Sequence, residues 1–169
     1  MKTGGIECVV DTNVPVVANG GSVQASKTCV LSCIAELIAL QKGGRLVIDN
    51  DWRILKEYIA NLRSQGQPGP GDAFLKWVLT NSTKPRYCEQ VQITPTADQR
   101  GFREFPLDRS LSTFDPEDRK FVAVSVAHPG HPPILQAVDA SWWPYRDALA
   151  ANGVTVQFLC PDEMKRLSR

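Results

Sequence analysis

Apolar residues alternate along the chain between short continuous runs and runs with helical spacing. The short runs predict strands at residues 7–10, 45–48, 134–138 and 154–159, with residues 89–94 as a further candidate. The helical spacing predicts helices at residues 27–41, 51–63, 72–79, 115–127 and 142–151. Because strands and helices alternate, the expected fold class is α/β, a three-layer α/β/α sandwich around a central, mostly parallel sheet.

Turn and capping residues support these boundaries. Gly43-Gly44 follows the first long helical run, and Asp115-Pro116 has the residue types preferred at a helix start. Residues 65–71 form a loop rich in glycine and proline, and most of residues 84–111 show no regular pattern. The chain has 169 residues, so we expect a single domain over residues 1–169.

The composition is that of a folded chain, because 43% of the residues are hydrophobic and 22% are charged. The formal net charge is +1. A nucleic-acid partner would therefore have to be held by a local patch or a bound metal rather than by the overall charge.

The five cysteines are an odd number without a Cys-x-x-Cys pair, and most of them lie in apolar runs. This pattern predicts buried free thiols rather than a disulfide framework, and hence a reducing compartment. The first residues leave no room for a signal peptide, and no run reaches the roughly 18 apolar residues of a membrane helix. We therefore expect a soluble cytoplasmic protein without membrane contact.

Two aspartates directly follow predicted strands, Asp11 after residues 7–10 and Asp139 after residues 134–138. Ligands of parallel sheets bind beyond the carboxyl ends of the strands, so we expect both carboxylates at that edge. Neighbouring buried carboxylates repel unless a cation pairs with them, and oxygen ligands suit Mg²⁺ or Mn²⁺. The alternative that each aspartate caps the following helix stays open.

Asp118 shares a helical face with Phe121, Val122 and Ser125, the stripe expected to meet the sheet. A carboxylate that leads an apolar stripe should project towards the strand ends. The alternative is a weak capping box of Asp118 with Asp115. We assign Asp118 to the site and Asp115 to helix capping.

Three segments together resemble the PIN-domain nucleases. The segment VVDTNV, which contains Asp11 and Asn13, is similar to the opening signature of that family. The segment FDPEDRKFVA resembles the signature around the family's third acid, here Asp118, and Ala137-Val138-Asp139 stands where the fourth acid is found. The resemblance implies a three-layer fold and Mg²⁺- or Mn²⁺-dependent cleavage of single-stranded RNA. Many members of the family are toxins paired with an antitoxin.

The resemblance leaves two residues open for the second acid. Glu57 lies on the helix after the second strand, where the family carries this acid, whereas Glu36 lies in a segment that looks locally like the motif of the short toxin members. We favour Glu57. Ala137 departs from the threonine or serine that members carry two residues before the fourth acid, and Ser141 could supply that hydroxyl instead. Asn13 matches the family's polar residue near the metal.

The expected mechanism follows from these ligands. A metal held by Asp11, Asp118 and Asp139 would polarise a phosphate oxygen and lower the pKa of an attacking water, and a second metal could be shared through Glu57. Arg119 and Lys120 adjoin Asp118 and are the best candidates for a phosphate contact. The sequence therefore predicts a metal-dependent ribonuclease, with an antitoxin or other partner protein and a homodimer left open.

Two alternatives compete with this interpretation. Phosphatases of the haloacid-dehalogenase kind also begin with an aspartate after a strand, but they need a second aspartate where this chain has Asn13. The other alternative is a PIN-like binding or scaffold subunit that no longer cuts. The retained acids oppose it, while the doubtful second acid and the near-neutral charge favour it.

Overall fold

The fold is built on one sheet of five parallel strands, seen in a computed structural model that describes residues 5–168. The strands are β1 (Glu7–Val10), β2 (Arg45–Asp49), β3 (Cys88–Val91), β4 (Ile134–Gln136) and β5 (Val156–Phe158). Their order across the sheet is β3-β2-β1-β4-β5. β1 lies at the centre because Cys8, Val9 and Val10 are fully buried, as a strand covered on both faces requires.

Helices cover both faces of the sheet and complete the three-layer α/β/α sandwich. Within residues 5–168 the α-helices are α1 (Asn13–Ala18), α2 (Lys27–Gly43), α3 (Arg53–Asn61), α4 (Pro70–Asn81), α5 (Arg119–Ala127), α6 (Arg146–Ala151) and α7 (Pro161–Leu167). α1, α2 and α4 pack against one another, whereas α5 packs against β1, β2 and β4. α3 contacts both α4 and α5. The predicted α/β fold class is confirmed.

Some element boundaries differ from the prediction. The predicted helix at residues 115–127 begins with a 3-10 turn at Pro116–Asp118, and the one at residues 142–151 begins with a 3-10 segment at Ala140–Tyr145. β4 ends two residues early, because the Gln136 side chain accepts a hydrogen bond from the Ala137 amide. α1 and α7 were not predicted, since helices of six and seven residues are too short to show a period.

A disulfide joins Cys29 to Cys160, although the cysteine pattern predicted buried free thiols rather than a disulfide framework. The pair could not be found from spacing, because 131 residues separate it and its partner lies at the start of the unpredicted helix α7. Cys8, Cys33 and Cys88 are free and buried, as expected. The disulfide removes the main argument for a reducing compartment. Among the described residues, no helix combines the length and apolar character that a membrane span needs.

Candidate metal centre

One cleft at the carboxyl edge of the sheet brings together the four acids favoured from the sequence. It has a volume of about 310 Å³. Its carboxylates belong to Asp11, Glu57, Asp118 and Asp139, and its other lining residues are Thr12, Asn13, Val16 and Asn61. Asp11 and Asp139 reach it from loops that follow β1 and β4, which pair directly in the sheet. Glu57 comes from α3, and Asp118 from the residue before α5.

Asp11 is the most buried acid of the cleft, with a relative exposure of 3%. One carboxylate oxygen, Oδ2, accepts the backbone N–H of Asn13 at 3.1 Å and the side-chain amide of Gln136 at 2.9 Å. Burial raises the pKa of Asp11 well above its ordinary value, and the charges of Asp118 and Asp139 raise it further. The fold thus holds a carboxylate in a place that disfavours its charge.

Asp118 is half-buried and lies beside two other carboxylates. Burial raises its pKa from 3.8 to about 7, and the charges of Asp139 and Asp115 add to this rise. Within residues 5–168 its side chain caps no helix, so the capping-box alternative fails. The apolar stripe that follows Asp118 is buried, as predicted.

Asp139 is held in place by its own turn and by β4. Its Oδ1 accepts the hydroxyl of Ser141 at 2.6 Å and the Ser141 backbone N–H at 3.1 Å. The hydroxyl that the sequence analysis assigned to Ser141 therefore does contact the fourth acid, although Ser141 itself is exposed. Asn13 joins the two strand ends, because its Oδ1 accepts the backbone N–H of Val138 at 2.7 Å.

Glu57, and not Glu36, lines the cleft. Glu36 lies half-buried on α2, where its charge adds to the effect of burial in raising the pKa of the Cys8 and Cys33 thiols. Glu57 projects from α3 and accepts a hydrogen bond from the hydroxyl of Thr12, the residue after Asp11. Of the two glutamates left open by the sequence, only Glu57 thus lies with Asp11, Asp118 and Asp139 in the cleft.

Lys120 contacts the cleft as a cation rather than as an exposed phosphate ligand. Its Nζ pairs with Glu57 Oε1 at 2.8 Å and donates to the carbonyl of Glu117. The residue is only 9% exposed. In this arrangement Lys120 neutralises part of the negative charge that the carboxylates bring together.

Arg119 and Asp115 have roles that are mainly structural. The Arg119 guanidinium donates to the carbonyl oxygens of Phe114, Ser112 and Arg100, and so ties the loop before α5 together. This arrangement suits Arg119 better to loop anchoring than to the predicted phosphate contact. Asp115 accepts the Glu117 N–H and caps the 3-10 turn, as the sequence analysis expected.

The sequence analysis missed Gln136 and Thr12 as site residues. Gln136 is fully buried, donates to Asp11, and accepts the backbone N–H groups of Ala137 and Asp139. It therefore links the first acid to the fourth. A buried strand that reads Ile-Leu-Gln could have drawn attention to Gln136, because a buried amide needs hydrogen-bond partners.

A second group that could hold a metal lies at the other end of β1. Ligand atoms of Glu7, Glu89 and His128 are all within 4.8 Å of one another. His128 Nε2 contacts Glu89 at 2.7 Å, Nδ1 accepts the N–H of Gly130, and Arg45 pairs with both glutamates. Because these carboxylates already have cationic or N–H partners, the group has less need of a metal than the acidic cleft does.

The donor set of the acidic cleft fits a hard divalent cation. All four charged ligands are carboxylates, and oxygen ligands of this kind suit Mg²⁺ or Mn²⁺. Among the described residues, no three of these carboxylates lie within 4.8 Å of one another. A cation would thus bind with water in part of its coordination shell, as Mg²⁺ commonly does.

Comparison of the chain with protein-family models, curated proteins and solved structures gives no match. The resemblance to the PIN-domain nucleases therefore rests on the three motifs and on the cleft in which their acids meet.

Proposed function

We propose that this protein is a divalent-metal-dependent nuclease that hydrolyses phosphodiester bonds in single-stranded RNA. The observation that carries the proposal is the single cleft lined by Asp11, Glu57, Asp118 and Asp139 at the carboxyl edge of the sheet. Burial and mutual repulsion raise the pKa of Asp11 and Asp118, and a bound cation would relieve that repulsion. The ordered motifs of the PIN family support the same reaction.

Asp11, Asp118 and Asp139 would hold the cation, and Glu57 would complete the acidic wall. When bound, Mg²⁺ or Mn²⁺ supplies the positive charge that stabilises the developing charge on the phosphate oxygens and activates the attacking water. Gln136 and Asn13 act as positioning residues, because they fix the two strand ends that carry Asp11 and Asp139. Thr12 also acts as a positioning residue, because its hydroxyl donates a hydrogen bond to the Glu57 carboxylate.

The four acids differ in how much each needs a cation to offset its charge. Asp11 is the residue most in need of a cation, since it is buried and no Lys or Arg pairs with it among residues 5–168. Glu57 already has Lys120 as a partner. We therefore place the first cation at Asp11, Asp118 and Asp139, and assign Glu57 to a second or transient position.

A binding or scaffold subunit is the second candidate function. The pairing of Lys120 with Glu57 favours it, because a built-in ammonium group can satisfy part of the site without any metal. An antitoxin-type partner remains a proposal that follows from the resemblance alone. A cytoplasmic location was inferred from the cysteine pattern, and the Cys29–Cys160 disulfide weakens that inference.

Cleavage assays distinguish the two functions. Labelled single-stranded RNA should be cut with Mn²⁺ or Mg²⁺ and remain intact with EDTA. Glu57→Gln should lower the rate at least about tenfold, since removal of a charge that acts in the transition state costs more than about 1.4 kcal/mol. Glu36→Gln is the matched control, because Glu36 lies outside the cleft, and it should leave the rate unchanged. RNA that stays intact with both metals would favour the scaffold function.

A further inference from the structure

A second, larger groove adjoins the acidic cleft, and we call it the α3 groove. It has a volume of about 680 Å³ and lies between α3, the loop at residues 99–102 and the 3-10 turn at Pro116–Asp118. Glu57 lines both the groove and the acidic cleft, so the two adjoin at its side chain. A substrate held in the groove would therefore reach the carboxylates.

The groove contains two exposed cationic side chains that pair with no acid among the described residues. Lys56 and Arg100 are exposed, and within residues 5–168 neither side chain forms a salt bridge. Arg53 lies one turn before Lys56 on the same face of α3. Lys120 also lines the groove, but its ammonium group is paired with Glu57. Asp115 and Glu117 are the other acids of the groove.

Arg53 and Phe102 both line the groove and lie against each other. The guanidinium carbon of Arg53 lies 5.5 Å from the centroid of the Phe102 ring. Arg53 Nε is buried, and among the described residues it has no hydrogen-bond partner. Within residues 5–168 the guanidinium is thus held against the ring and forms no salt bridge with an acid.

The loop that carries Arg100 and Phe102 is held in one conformation. Pro95 and Phe102 form an antiparallel bridge, and the Thr96 N–H donates to the carbonyl of Gly101 at 2.9 Å. Arg119 donates to the Arg100 carbonyl at 3.3 Å, which connects the loop to the helix that follows Asp118. The groove is thus preorganised relative to the acids, which lowers the entropic cost of binding.

We infer that the α3 groove binds single-stranded RNA next to the bond that is cut, an inference that rests on the proposed function. Lys56 and Arg100 contact backbone phosphates, and the Arg53–Phe102 pair stacks on an unpaired base. A duplex would hide its base faces from that pair, so the geometry selects single strands. Two of these four residues, Arg100 and Phe102, lie in the part of the chain at residues 84–111 that shows no regular sequence pattern.

Binding by the Asp11→Asn protein tests the inference without cleavage. Fluorescence anisotropy of a labelled single-stranded oligoribonucleotide is measured from 50 to 200 mM salt for this protein and for the same protein with Lys56→Ala and Arg100→Ala. Loss of two phosphate contacts should weaken binding at least about fivefold and reduce the slope of log K against log salt by about 1.4. The control is the Asp11→Asn protein with Lys42→Ala and Arg109→Ala, which removes the same charge at exposed residues outside the groove and the cleft. Its affinity and salt slope should equal those of the Asp11→Asn protein.

A second variant tests the stacking surface. Phe102→Leu keeps an apolar side chain but removes the ring, and it should weaken binding about fivefold or more with an unchanged salt slope. Unlabelled duplex RNA of the same sequence should compete poorly with the single strand. Equal competition by the duplex, or a Phe102→Leu protein with parental affinity, would contradict base stacking in the groove.

The outcomes separate this inference from the proposed function. If the groove variant binds like the Lys42 and Arg109 control while the unmodified protein cuts RNA, the groove assignment is wrong and the nuclease stands. If the unmodified protein does not cut RNA and the groove variant loses binding, the α3 groove still binds RNA and the nuclease assignment is wrong. With cleavage present, the groove variant should raise KM for the oligonucleotide and leave kcat within about twofold.

Discussion

Asp11 has two properties that are costly unless a cation binds, since it is buried and faces other carboxylates. Its two hydrogen-bond donors both use the single oxygen Oδ2. An asparagine in its place could keep that oxygen as the acceptor and turn an amide group towards the remaining acids. The residue can therefore be neutralised without loss of its hydrogen bonds.

Asp11→Asn should abolish metal-dependent RNA cleavage and leave thermal stability in EDTA unchanged or higher. Mn²⁺ should then raise the melting temperature of the unmodified protein but not that of the variant. Thermal melts with EDTA and with Mn²⁺, together with the cleavage assay, measure both effects. Asparagine caps a helix about as well as aspartate, so a purely capping role would also leave stability in EDTA unchanged. A variant that still cuts RNA, and that Mn²⁺ stabilises as much as the unmodified protein, would contradict the metal-ligand role.

Gln136→Met should destabilise the protein by about 1–3 kcal/mol in urea unfolding. The thioether keeps the length of the side chain but leaves the buried Asp11 carboxylate and the Ala137 and Asp139 amides without their partner. Gln157→Met, at an exposed position of β5, is the control and should change stability by less than about 0.5 kcal/mol. An equal loss of stability in both variants would contradict the role of Gln136 in positioning Asp11 and Asp139.

The residues found from the sequence and those missed differ in the kind of signal they carry. Asp11, Asp118 and Asp139 follow strands or lead an apolar stripe, so local pattern indicates where they point. Gln136 and Thr12 act through contacts to residues 125 and 45 positions away, which no local pattern records. The same limit left Glu36 and Glu57 open until the structure showed which helix contacts α5.

At the scale of elements, the cleft is closed by the contact between α3 and α5. Glu57 on α3 and Lys120 on α5 form the ion pair of this contact, with side-chain exposures of 25% and 11%. The ammonium group occupies a position where a cation is needed, so Lys120 and a divalent metal compete for the charge of Glu57.

Lys120→Met should therefore lower stability in EDTA and increase the stabilisation by Mn²⁺. Removal of one partner of a half-buried ion pair leaves Glu57 uncompensated, at a cost of about 1–3 kcal/mol. The melting-temperature shift between EDTA and saturating Mn²⁺ is the measurement. Lys76→Met, an exposed lysine on α4, serves as the control. A shift no larger than that of the unmodified protein would show that Lys120 does not compete with the metal.

The element pattern predicted the strands and long helices but not the short ones. Long runs such as α2 carry a helical period; the buried stripe of α2 is Cys29, Cys33, Leu37 and Leu40, whereas Ile38 is exposed. α1 was missed because six residues carry no measurable period, and α7 because Pro161 reads as the end of a strand although it also suits a first helical turn. The loop that forms the α3 groove depends on long-range contacts of Arg119 and could not be read locally.

At the scale of the whole molecule, the Cys29–Cys160 disulfide joins α2 to the start of the short C-terminal helix α7. Its loop contains most of the chain, because 131 residues separate the two cysteines. A covalent link over so long a loop restricts the unfolded chain strongly, by about 4–5 kcal/mol in the chain-entropy description.

The doubly substituted protein Cys29→Ser, Cys160→Ser should melt at a lower temperature than the oxidised unmodified protein, with a free energy of unfolding lower by about 2–5 kcal/mol. A thiol reductant should lower the melting temperature of the unmodified protein and leave that of the variant unchanged. Cys88→Ser, at a buried free thiol, is the control and should keep its response to reductant. Equal responses of all three proteins would mean that the disulfide does not contribute to the fold.

The pKa rises in the cleft predict that the protein without metal loses stability as the pH rises from about 4 to about 7. Asp118 has a pKa of about 7 in the folded state against an ordinary value of 3.8, and burial raises that of Asp11 in the same direction. In this range the folded state binds more protons than the unfolded state, so the free energy of unfolding falls with increasing pH. Asp72, Asp98 and Asp108 have lowered pKa values and act only at more acidic pH.

Urea unfolding in EDTA between pH 5 and pH 8 measures this decline. Asp118→Asn should flatten the curve, whereas Asp51→Asn, at an exposed turn outside the cleft, should keep it. Mn²⁺ should reverse the slope, because the cation binds the ionised carboxylates and its affinity grows as they lose protons. A protein whose stability in EDTA rises from pH 5 to pH 8, with Asp118→Asn no different from Asp51→Asn, would contradict a strained acidic cleft and remove the physical reason for a metal there.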